Sequence, residues 1–440
     1  MASKLNADWI RYIFTNMEEA VCVIRMNGEL VYANASAEKL FGFRAGCPVK
    51  IWEAIPHTEE NDDLYQMFID GVTEKQRSFH SIVNYVNQQG KVYHLHVSLT
   101  CDPREEGMIL IVISDLTHLT RIRSALVRYT SPGIAEYVLS DPEGERPGGQ
   151  ARDVSILMSD LRGFTAMSGR MASGELVRML NHYFEWMATV IERHSGTVIE
   201  FLGDGIFAVF GAPGDLPDHA GEAVACAVEM QQAMAAVNQW NREQGYPELE
   251  MGIGISSGPA VVGNIGSEKK MKYGCMGETV NLASRIESLS IGGQVLISGE
   301  TGSRIASALT IASEKSVMLK GMTHEVRVSE VTGIGSLRLR EGALHPQHWI
   351  RLKVERDILL FHLNGKTVDP FPREGRLVML SRDERYGVLE TGAELRPLQN
   401  LMLRIGEQDI YAKVLDRMKE GYRLYLYRSE QPLEPPYGAL

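Results

Sequence analysis

Short apolar runs separated by turn residues fill the first 122 residues of the chain. AVCVIRMNGELVYAN, residues 20–34, places an Asn-Gly turn between two such runs, which is a strong signal for a β-hairpin. SAEKLFGF then predicts a helix, and KVYHLHVSLT and GMILIVISD predict two more strands. A short helix over residues 116–126 is expected to lead out of the last strand.

Residues 151–335 combine strand and helix periodicities. Residues 154–159 predict a short strand that ends at Asp160. GTVIEFLGDGIFAVFG predicts two strands joined by a tight turn that contains Gly203, Asp204 and Gly205, and we expect Asp204-Gly205 to form it because both residues tolerate positive φ. Between these elements we expect a helix capped by Ser173. Its apolar stripe, which should face the core, is Leu176, Leu180, Tyr183, Phe184, Met187 and Ile191.

The tail and the linkers complete this division of the chain. LVMLS, GVLET, LMLRI, IYAKVL and YRLYLY predict a small β-barrel within residues 336–440. SDPEGERPGGQ, residues 140–150, holds two prolines and three glycines, so no regular element is expected there. A weaker break lies around residues 333–346. We therefore place boundaries near residues 122, 148 and 335.

Composition excludes several classes of protein. The 440 residues are 44% hydrophobic and 23% charged, which is typical of a globular protein. The net charge of -11 is opposite to the basic excess of a nucleic-acid binder. Five cysteines without a CxxC pair exclude a disulfide scaffold and a zinc ribbon. No apolar run has the ~20 residues that span a bilayer, so we expect a cytoplasmic protein without a membrane or nucleic-acid partner.

Two carboxylates carry the candidate chemistry. Asp160 ends one predicted strand and Asp204 lies at the tip of a predicted hairpin, so a sheet that pairs these elements brings both to one edge. A glycine-containing loop, which includes Gly163, leads from Asp160 into a helix. Such a constellation suits divalent metal and phosphate binding, and two metal ions can stabilise the attacking and leaving oxygens of a phosphoryl displacement.

Three motifs together resemble the catalytic domain of class III nucleotide cyclases. They are SDLRGFT, EFLGDGIFAVFG and GETVNLASRIES, in the order that the family has, and the similarity extends over about 180 residues. The resemblance implies a ferredoxin-like α/β core. It also implies conversion of a nucleoside triphosphate to a 3′,5′-cyclic monophosphate and pyrophosphate. The family works as a head-to-tail dimer, and because all the motif residues occur in one chain, we expect a homodimer with two composite active sites.

The resemblance assigns roles to individual residues. Asp160, Asp204 and the backbone carbonyl of Leu161 would bind two divalent ions, Mg²⁺ or Mn²⁺. Asn281 and Arg285, four residues apart on one helix face, would orient the ribose and stabilise charge at the α-phosphate. The residues expected to hold the triphosphate are the backbone of Gly163, Phe164 and Thr165 and the side chain of Lys320.

Two further positions of the family select the base. Glu200 lies four residues before Asp204, where guanylyl cyclases have Glu and adenylyl cyclases Lys. A carboxylate accepts from the N1–H and exocyclic amine of guanine, whereas it repels the N1 lone pair of adenine. Gly274, three residues before Gly277, departs from both patterns, and we expect Cys275 to be a packing residue. We therefore predict a substrate-binding site for GTP at Glu200 and Gly274, with ATP as the alternative.

The flanking segments carry weaker resemblances. The first segment resembles a PAS domain, through the NGELVYAN hairpin, the SAEKLFGF helix and the closing strand. Its ligand is unknown: His57, His80, His94 and His96 are candidate haem ligands, but a dimerising sensor module is the preferred interpretation. VRYTSPGIAEYV resembles the element that precedes cyclase domains and would couple the two. The tail resembles PilZ domains through Arg351 and Arg356, although LSRDERYG matches their binding loop poorly, so a barrel for interaction or dimerisation is preferred to one that binds a dinucleotide.

These observations predict an α+β multidomain chain. Its parts are a PAS α/β sensor (1–122), a coupling helix and linker (123–148), a ferredoxin-like cyclase core (149–335) and a small β-barrel (336–440). We expect a guanylate cyclase regulated by the PAS domain. The alternatives are an adenylate cyclase and a non-catalytic nucleotide-binding signalling module. The sequence has no GGDEF-like turn, which disfavours a diguanylate cyclase.

Overall fold

The structure, a computed structural model, divides the chain into two compact units, Met1–Tyr129 and Thr130–Leu440. No helix in the described residues is long and apolar enough to cross a bilayer. The residues that the structure describes are 7–42, 50–73, 78–101, 107–140, 146–319, 322–339, 349–364, 367–381, 384–406 and 408–427.

The first unit is built on one antiparallel sheet. Its elements are α1 (Ala7–Asn16), β1 (Ala20–Arg25), β2 (Leu30–Ala33), α2 (Ala35–Phe41), the 3₁₀ turns Ile51–Ala54 and Glu59–Asn61, α3 (Asp62–Thr73), β3 (Ser78–Val86), β4 (Val92–Cys101), β5 (Met108–Asp115) and α4 (Thr117–Tyr129). The five strands follow the order β2-β1-β5-β4-β3.

The predicted hairpin, helix and closing strands of this unit are confirmed. The buried Asn34 side chain joins them, because its Oδ1 accepts from the amides of Val21 and Ala37 and so caps α2 against β1. The exit helix α4 is longer than residues 116–126 and runs to Tyr129. The buried core contains none of the four candidate haem ligands, His57, His80, His94 and His96.

The second unit holds a large mixed sheet and a barrel. Its elements are α5 (Pro132–Ser140), β6 (Gly148–Leu161), α6 (Phe164–Ser168), α7 (Ser173–Arg193), β7 (Gly196–Leu202), β8 (Gly205–Phe210), α8 (His219–Glu243), β9 (Met251–Ser267), β10 (Lys270–Met276), α9 (Glu278–Leu289), β11 (Val295–Ser298), α10 (Gly299–Arg304), the 3₁₀ turn Ala306–Ala308, β12 (Leu309–Met318), β13 (Glu325–Ile334), β14 (Leu337–Arg338), β15 (Trp349–Asn364), β16 (Thr367–Val368), β17 (Arg373–Ser381), β18 (Tyr386–Glu390), β19 (Asn400–Ile405), β20 (Gln408–Met418) and β21 (Gly421–Leu426).

The large sheet has a ferredoxin-like core. β6-α7-β7-β8-α8-β9 gives the strand order β9-β6-β8-β7, which β11, β13 and β12 extend beyond β9. Strand residues point alternately to the two faces. On one face Leu157 and Ala208 pack against α7 and α8. On the other, Ile156 and Val209 pack with Ile134 of α5 and Ala283 of α9, so the sheet is covered on both sides.

Two local predictions need correction here. Gly148, Gly149 and Gln150 are not in an irregular linker but begin β6, where they pair with residues 262–264 of β9. Ser173 is the first residue of α7 rather than its cap; Ala172 occupies the cap position without a side-chain hydrogen bond. The predicted stripe of this helix does lie in or against the core.

The tail forms the expected closed barrel. Six strands follow the order β15-β17-β18-β21-β20-β19, and β15 pairs with β19 to close it. Alternate residues, such as Ala412 and Val414 of β20, fill its interior. Arg351, one of the two residues behind the PilZ resemblance, has an exposed side chain, and that resemblance stays a prediction.

Candidate active site

Asp160 and Asp204 meet at one edge of the large sheet, as the sequence predicts. β6 and β8 pair antiparallel up to Ser159 opposite Ile206, which places Asp160 beside the hairpin tip. Leu202 pairs with Gly205, so the two turn residues are Gly203 and Asp204 rather than Asp204 and Gly205. Gly203 takes the positive φ of 69°. Gly205 serves close approach instead, because a Cβ there would lie 2.7 Å from the carbonyl oxygen of Ser159.

The Asp160 carboxylate makes ionisation of Asp204 more costly. Burial and then the charge of Asp160 raise the pKa of Asp204 to about 6, although backbone amides of Asp204 and Leu161 donate to its carboxylate. Two adjacent carboxylates at a half-buried edge are a site that a cation would stabilise. Within the described residues, no group of three or more His, Cys, Asp or Glu side chains is placed to hold a metal ion. Two carboxylates fit Mg²⁺ or Mn²⁺, which take one or two carboxylates and fill their shells with water, carbonyl and phosphate oxygens.

The loop after Asp160 turns the chain into a short helix. Gly163 has a φ of 73° and precedes α6, whose first two residues are Phe164 and Thr165. The carbonyl of Gly163 accepts from the amide of Met167 at 3.2 Å. This places the backbone that sequence analysis assigned to the triphosphate directly after the Asp160 and Leu161 pair.

Arg162 joins this edge to a distant part of the chain. Its guanidinium lies 3.4 Å from the Asp160 carboxylate, forms an ion pair with Glu287, and donates to the Ser290 hydroxyl at 2.8 Å. Sequence analysis did not identify Arg162 or Glu287. No local signal could have found the pair, because 125 residues separate the two side chains.

Asn281 and Arg285 lie four residues apart on α9, as predicted. Asn281 is exposed and Arg285 half-buried, and no hydrogen bond or ion pair of either side chain occurs within the described ranges. In this single chain, neither residue is hydrogen-bonded to the two carboxylates. Lys320, the predicted phosphate contact, lies outside the described residues.

The two predicted base-selecting positions lie on β7 and β10, strands that do not pair with each other. Glu200 on β7 forms an ion pair with Lys272 on β10, and both side chains are about half exposed. Gly274 is two residues after Lys272 on the same strand, so the two positions share a face. Cys275 points to the opposite face and is buried among apolar residues, which confirms its packing role. Lys272 was missed, although strand alternation from Gly274 pointed to it.

Comparison with known families identifies two domains. Residues 148–331 match the family model of the adenylate and guanylate cyclase catalytic domain. Residues 8–75 match the model of a PAS domain. The Asp160, Asp204, Asn281 and Arg285 positions all fall within the first match.

Individual similar proteins include cyclases of both base specificities. Adenylate cyclase 1 of Rhizobium meliloti (strain 1021) is 32% identical over 221 residues, which cover 49% of this chain and 33% of that protein. The structure of the guanylyl cyclase Cya2 is 48% identical, with coverage of 44% and 100% and a TM-score of 0.43. That of the adenylyl cyclase CyaB from P. aeruginosa is 33% identical, with coverage of 43% and 98% and a TM-score of 0.42. The chain thus spans about a third of the length of Adenylate cyclase 1.

Proposed function

We propose that this chain, whose catalytic domain belongs to the class III adenylate and guanylate cyclase family, converts GTP to 3′,5′-cyclic GMP and pyrophosphate. In this reaction the ribose 3′-oxygen loses its proton and attacks the α-phosphorus, and the bond to the pyrophosphate oxygen breaks. The product keeps the nucleoside and the α-phosphoryl group without the 3′-hydroxyl proton, and the bridging oxygen leaves with pyrophosphate.

Asp160, Asp204 and the carbonyl of Leu161 would hold two divalent ions. Bound there, such ions supply Lewis-acid stabilisation of the attacking and leaving oxygens. Burial and the nearby charge of Asp160 raise the pKa of Asp204. A cation would relieve the repulsion between these two carboxylates, which is why the site favours one. The backbone of Gly163, Phe164 and Thr165, together with Lys320, would bind the triphosphate.

Asn281 and Arg285 act on the reacting centre. The Asn281 amide orients the ribose, and the Arg285 guanidinium donates to the α-phosphate oxygens, where negative charge increases in the transition state. Both side chains lack partners among the described residues, so they are available to substrate. We propose that they complete a site whose carboxylates come from the partner subunit of a homodimer, which gives two composite sites.

The preference for GTP rests on one observation, the half-exposed Glu200 carboxylate held by Lys272. The ammonium orients this carboxylate, ready to accept from N1–H and the exocyclic amine of guanine. Gly274 leaves room beside it for the guanine O6 and a water or backbone donor. Adenine has an acceptor where Glu200 requires a donor, so the carboxylate would receive no hydrogen bond from this base at N1.

Lys272 also supports a second candidate function. An ammonium near the base could donate to N1 of adenine, and this would make the chain an adenylate cyclase. The two functions differ in whether Glu200 or Lys272 forms the hydrogen bond to the base. The identity of the cyclic product therefore shows which side chain makes this contact.

The test gives purified full-length protein Mn²⁺ with either GTP or ATP and measures cyclic nucleotide. We expect cyclic GMP from GTP and little cyclic AMP from ATP. Cyclic AMP as the main product would support the second function. Asp204→Ala is the control, and it should abolish formation of the cyclic nucleotide. If the wild-type protein binds nucleotide but forms no cyclic product, the chain is a non-catalytic nucleotide-binding module.

We further propose that the PAS domain regulates this activity. The element at residues 127–138 would transmit the state of a PAS dimer to the cyclase dimer and shift the active population. We also propose that the domain boundaries lie near residues 122, 148 and 335, so that this element connects the PAS domain to the cyclase domain. If Pro132→Ala leaves activity and its regulation unchanged, the coupling role of this element is wrong.

A further inference from the structure

A lysine of the C-terminal barrel is buried against the catalytic domain. Lys413 lies on β20 between Ala412 and Val414, whose side chains fill the barrel. Alternation along the strand directs Lys413 outward, yet only 1% of it is exposed. The catalytic domain covers it.

The Lys413 ammonium binds the end of α9. Its Nζ donates to the carbonyl oxygens of Ser288 at 2.9 Å and Ser290 at 3.0 Å. The last carbonyls of a helix lack intrahelical partners and carry partial negative charge, so a cation there stabilises the helix end. α9 is the helix that carries Asn281 and Arg285.

The same helix end contacts the metal-site edge. Arg162 donates to the Glu287 carbonyl at 3.1 Å and to the Ser290 hydroxyl at 2.8 Å, while its other nitrogen lies 3.4 Å from Asp160. The Glu287 carboxylate pairs with Arg162. Lys413, the end of α9, Arg162 and Asp160 thus form one continuous polar chain from the barrel to the candidate active site.

Other contacts hold the barrel in this position. Arg385 lies 2.8 Å from the Glu250 carboxylate, which also accepts from the Tyr425 hydroxyl. Ile291, two residues beyond α9, packs with Leu415 and Tyr425 of the barrel. The interface is therefore built around the residues that follow α9.

Stability alone is a weak reason for a lysine at this place. Burial of an ammonium is costly, and apolar residues of similar volume often serve as well or better. The cyclase family model ends at residue 331, so the family itself assigns no role to Lys413. The contacts of this lysine are with the helix that bears the two catalytic side chains.

We propose that Lys413 is a positioning residue of the cyclase site: from the barrel it fixes the end of α9 and, through Arg162, the Asp160 carboxylate. This rests on the proposed cyclase function. It makes the barrel part of the catalytic unit, and a change in barrel docking becomes a change in turnover. Glu200 and Lys272 lie outside this polar chain, so base selection is independent of it.

The kinetic test uses the full chain and whichever triphosphate the wild type cyclises. Lys413→Met should lower kcat about 10- to 100-fold, because small displacements of reacting groups have effects of this size. KM and the GTP-to-ATP preference should stay within about two-fold of wild type, since the base contacts are untouched. Lys413→Gln keeps a neutral donor on a shorter side chain. Its kcat should lie between the values of the wild type and Lys413→Met.

Lys315→Met is the matched control. Lys315 also donates across the boundary between catalytic domain and barrel, to the Leu415 carbonyl at 3.0 Å, but among the described residues no hydrogen bond joins it to α9. Its kcat should stay within about two-fold of wild type. Wild-type kcat in Lys413→Met, or an equal loss in Lys315→Met, would overturn the proposal.

Backbone amide exchange tests the same link without activity. Lys413→Met should accelerate hydrogen exchange in α9 but not in α8 of the same domain. Unchanged exchange in α9, or an equal increase in α8, would reject the positioning role. This result stands even if the wild type forms no cyclic nucleotide, an outcome that would reject the proposed function separately.

Discussion

The Lys272 ammonium forms an ion pair with the Glu200 carboxylate across β10 and β7. This pair unites Glu200, which the cyclase resemblance singled out, with Lys272, which the sequence analysis did not name. It gives the proposed base-binding position both a donor and an acceptor. Under the proposed function, the group that contacts the base decides the substrate.

Lys272→Met tests the supporting role of the ammonium. Both side chains of the pair are about half exposed, and exposed pairs contribute at most about 1 kcal/mol, so we expect KM for GTP to rise by about two- to five-fold with little change in kcat. Steady-state kinetics with each triphosphate measure this. Unchanged use of GTP together with a collapse of ATP turnover would show that Lys272 serves adenine.

Glu200→Lys combined with Gly274→Asp should move the preference towards ATP. The new lysine can donate to adenine N1 and the new carboxylate can accept from its amine, and we expect the ratio of the two kcat/KM values to change by at least about ten-fold. The new carboxylate also faces Lys272, which offsets the repulsion between two lysines.

Gly274→Ala is the matched control for that change. A Cβ at Gly274 would lie 3.1 Å from Ile265 Cδ1, so Ile265 must yield by a few tenths of an ångström. Alanine there should lower activity with both triphosphates alike. If GTP preference survives the double change while the control behaves this way, the assignment of Glu200 is wrong.

Features that depend on neighbouring residues in the sequence could be predicted, whereas contacts between residues far apart in the sequence could not. The hairpin at Asp204 and the helix with Asn281 and Arg285 were predictable, because turn residues and periodicity are local signals. The contact of Arg162 with Glu287 was not, since it joins residues 125 positions apart. Lys413 reads as an exposed strand position until the barrel docks. Gln150 was misassigned because a glycine-rich run can also enter a strand when a long partner strand pairs with it.

The binding of Mn²⁺ should depend on pH through Asp204. Burial and the neighbouring Asp160 raise the pKa of this carboxyl to about 6. The metal requires the ionised form, so the apparent dissociation constant should increase about ten-fold for each pH unit below that value and level off above it. Electron paramagnetic resonance of free Mn²⁺ measures this. A dissociation constant that stays flat through this range would contradict the pairing of the two carboxylates.

The same shift has a consequence for the metal-free protein. The folded-state pKa of Asp204 lies above its ordinary value of 3.8. Its contribution to stability is therefore complete below that ordinary value and is lost as the pH rises through about 6. Asp204→Asn should remove this contribution to the pH dependence.

Composite sites predict complementation between two inactive variants. Asp204→Ala and Arg285→Ala should each abolish turnover in a homodimer. An equal mixture of the two should recover about a quarter of wild-type activity, since half of the dimers are mixed and each mixed dimer has one intact site. Cyclic nucleotide formation after mixing measures this. No recovery, with mixed dimers detected, would place each site within one chain.

The most direct test of the central claim is competition in one vessel. The full chain receives equal concentrations of GTP and ATP with Mn²⁺, and the ratio of the cyclic products gives the ratio of the two kcat/KM values. We predict at least about ten-fold more cyclic GMP than cyclic AMP, as expected for one bidentate contact to the base edge. Equal amounts, or an excess of cyclic AMP, would contradict base selection by Glu200.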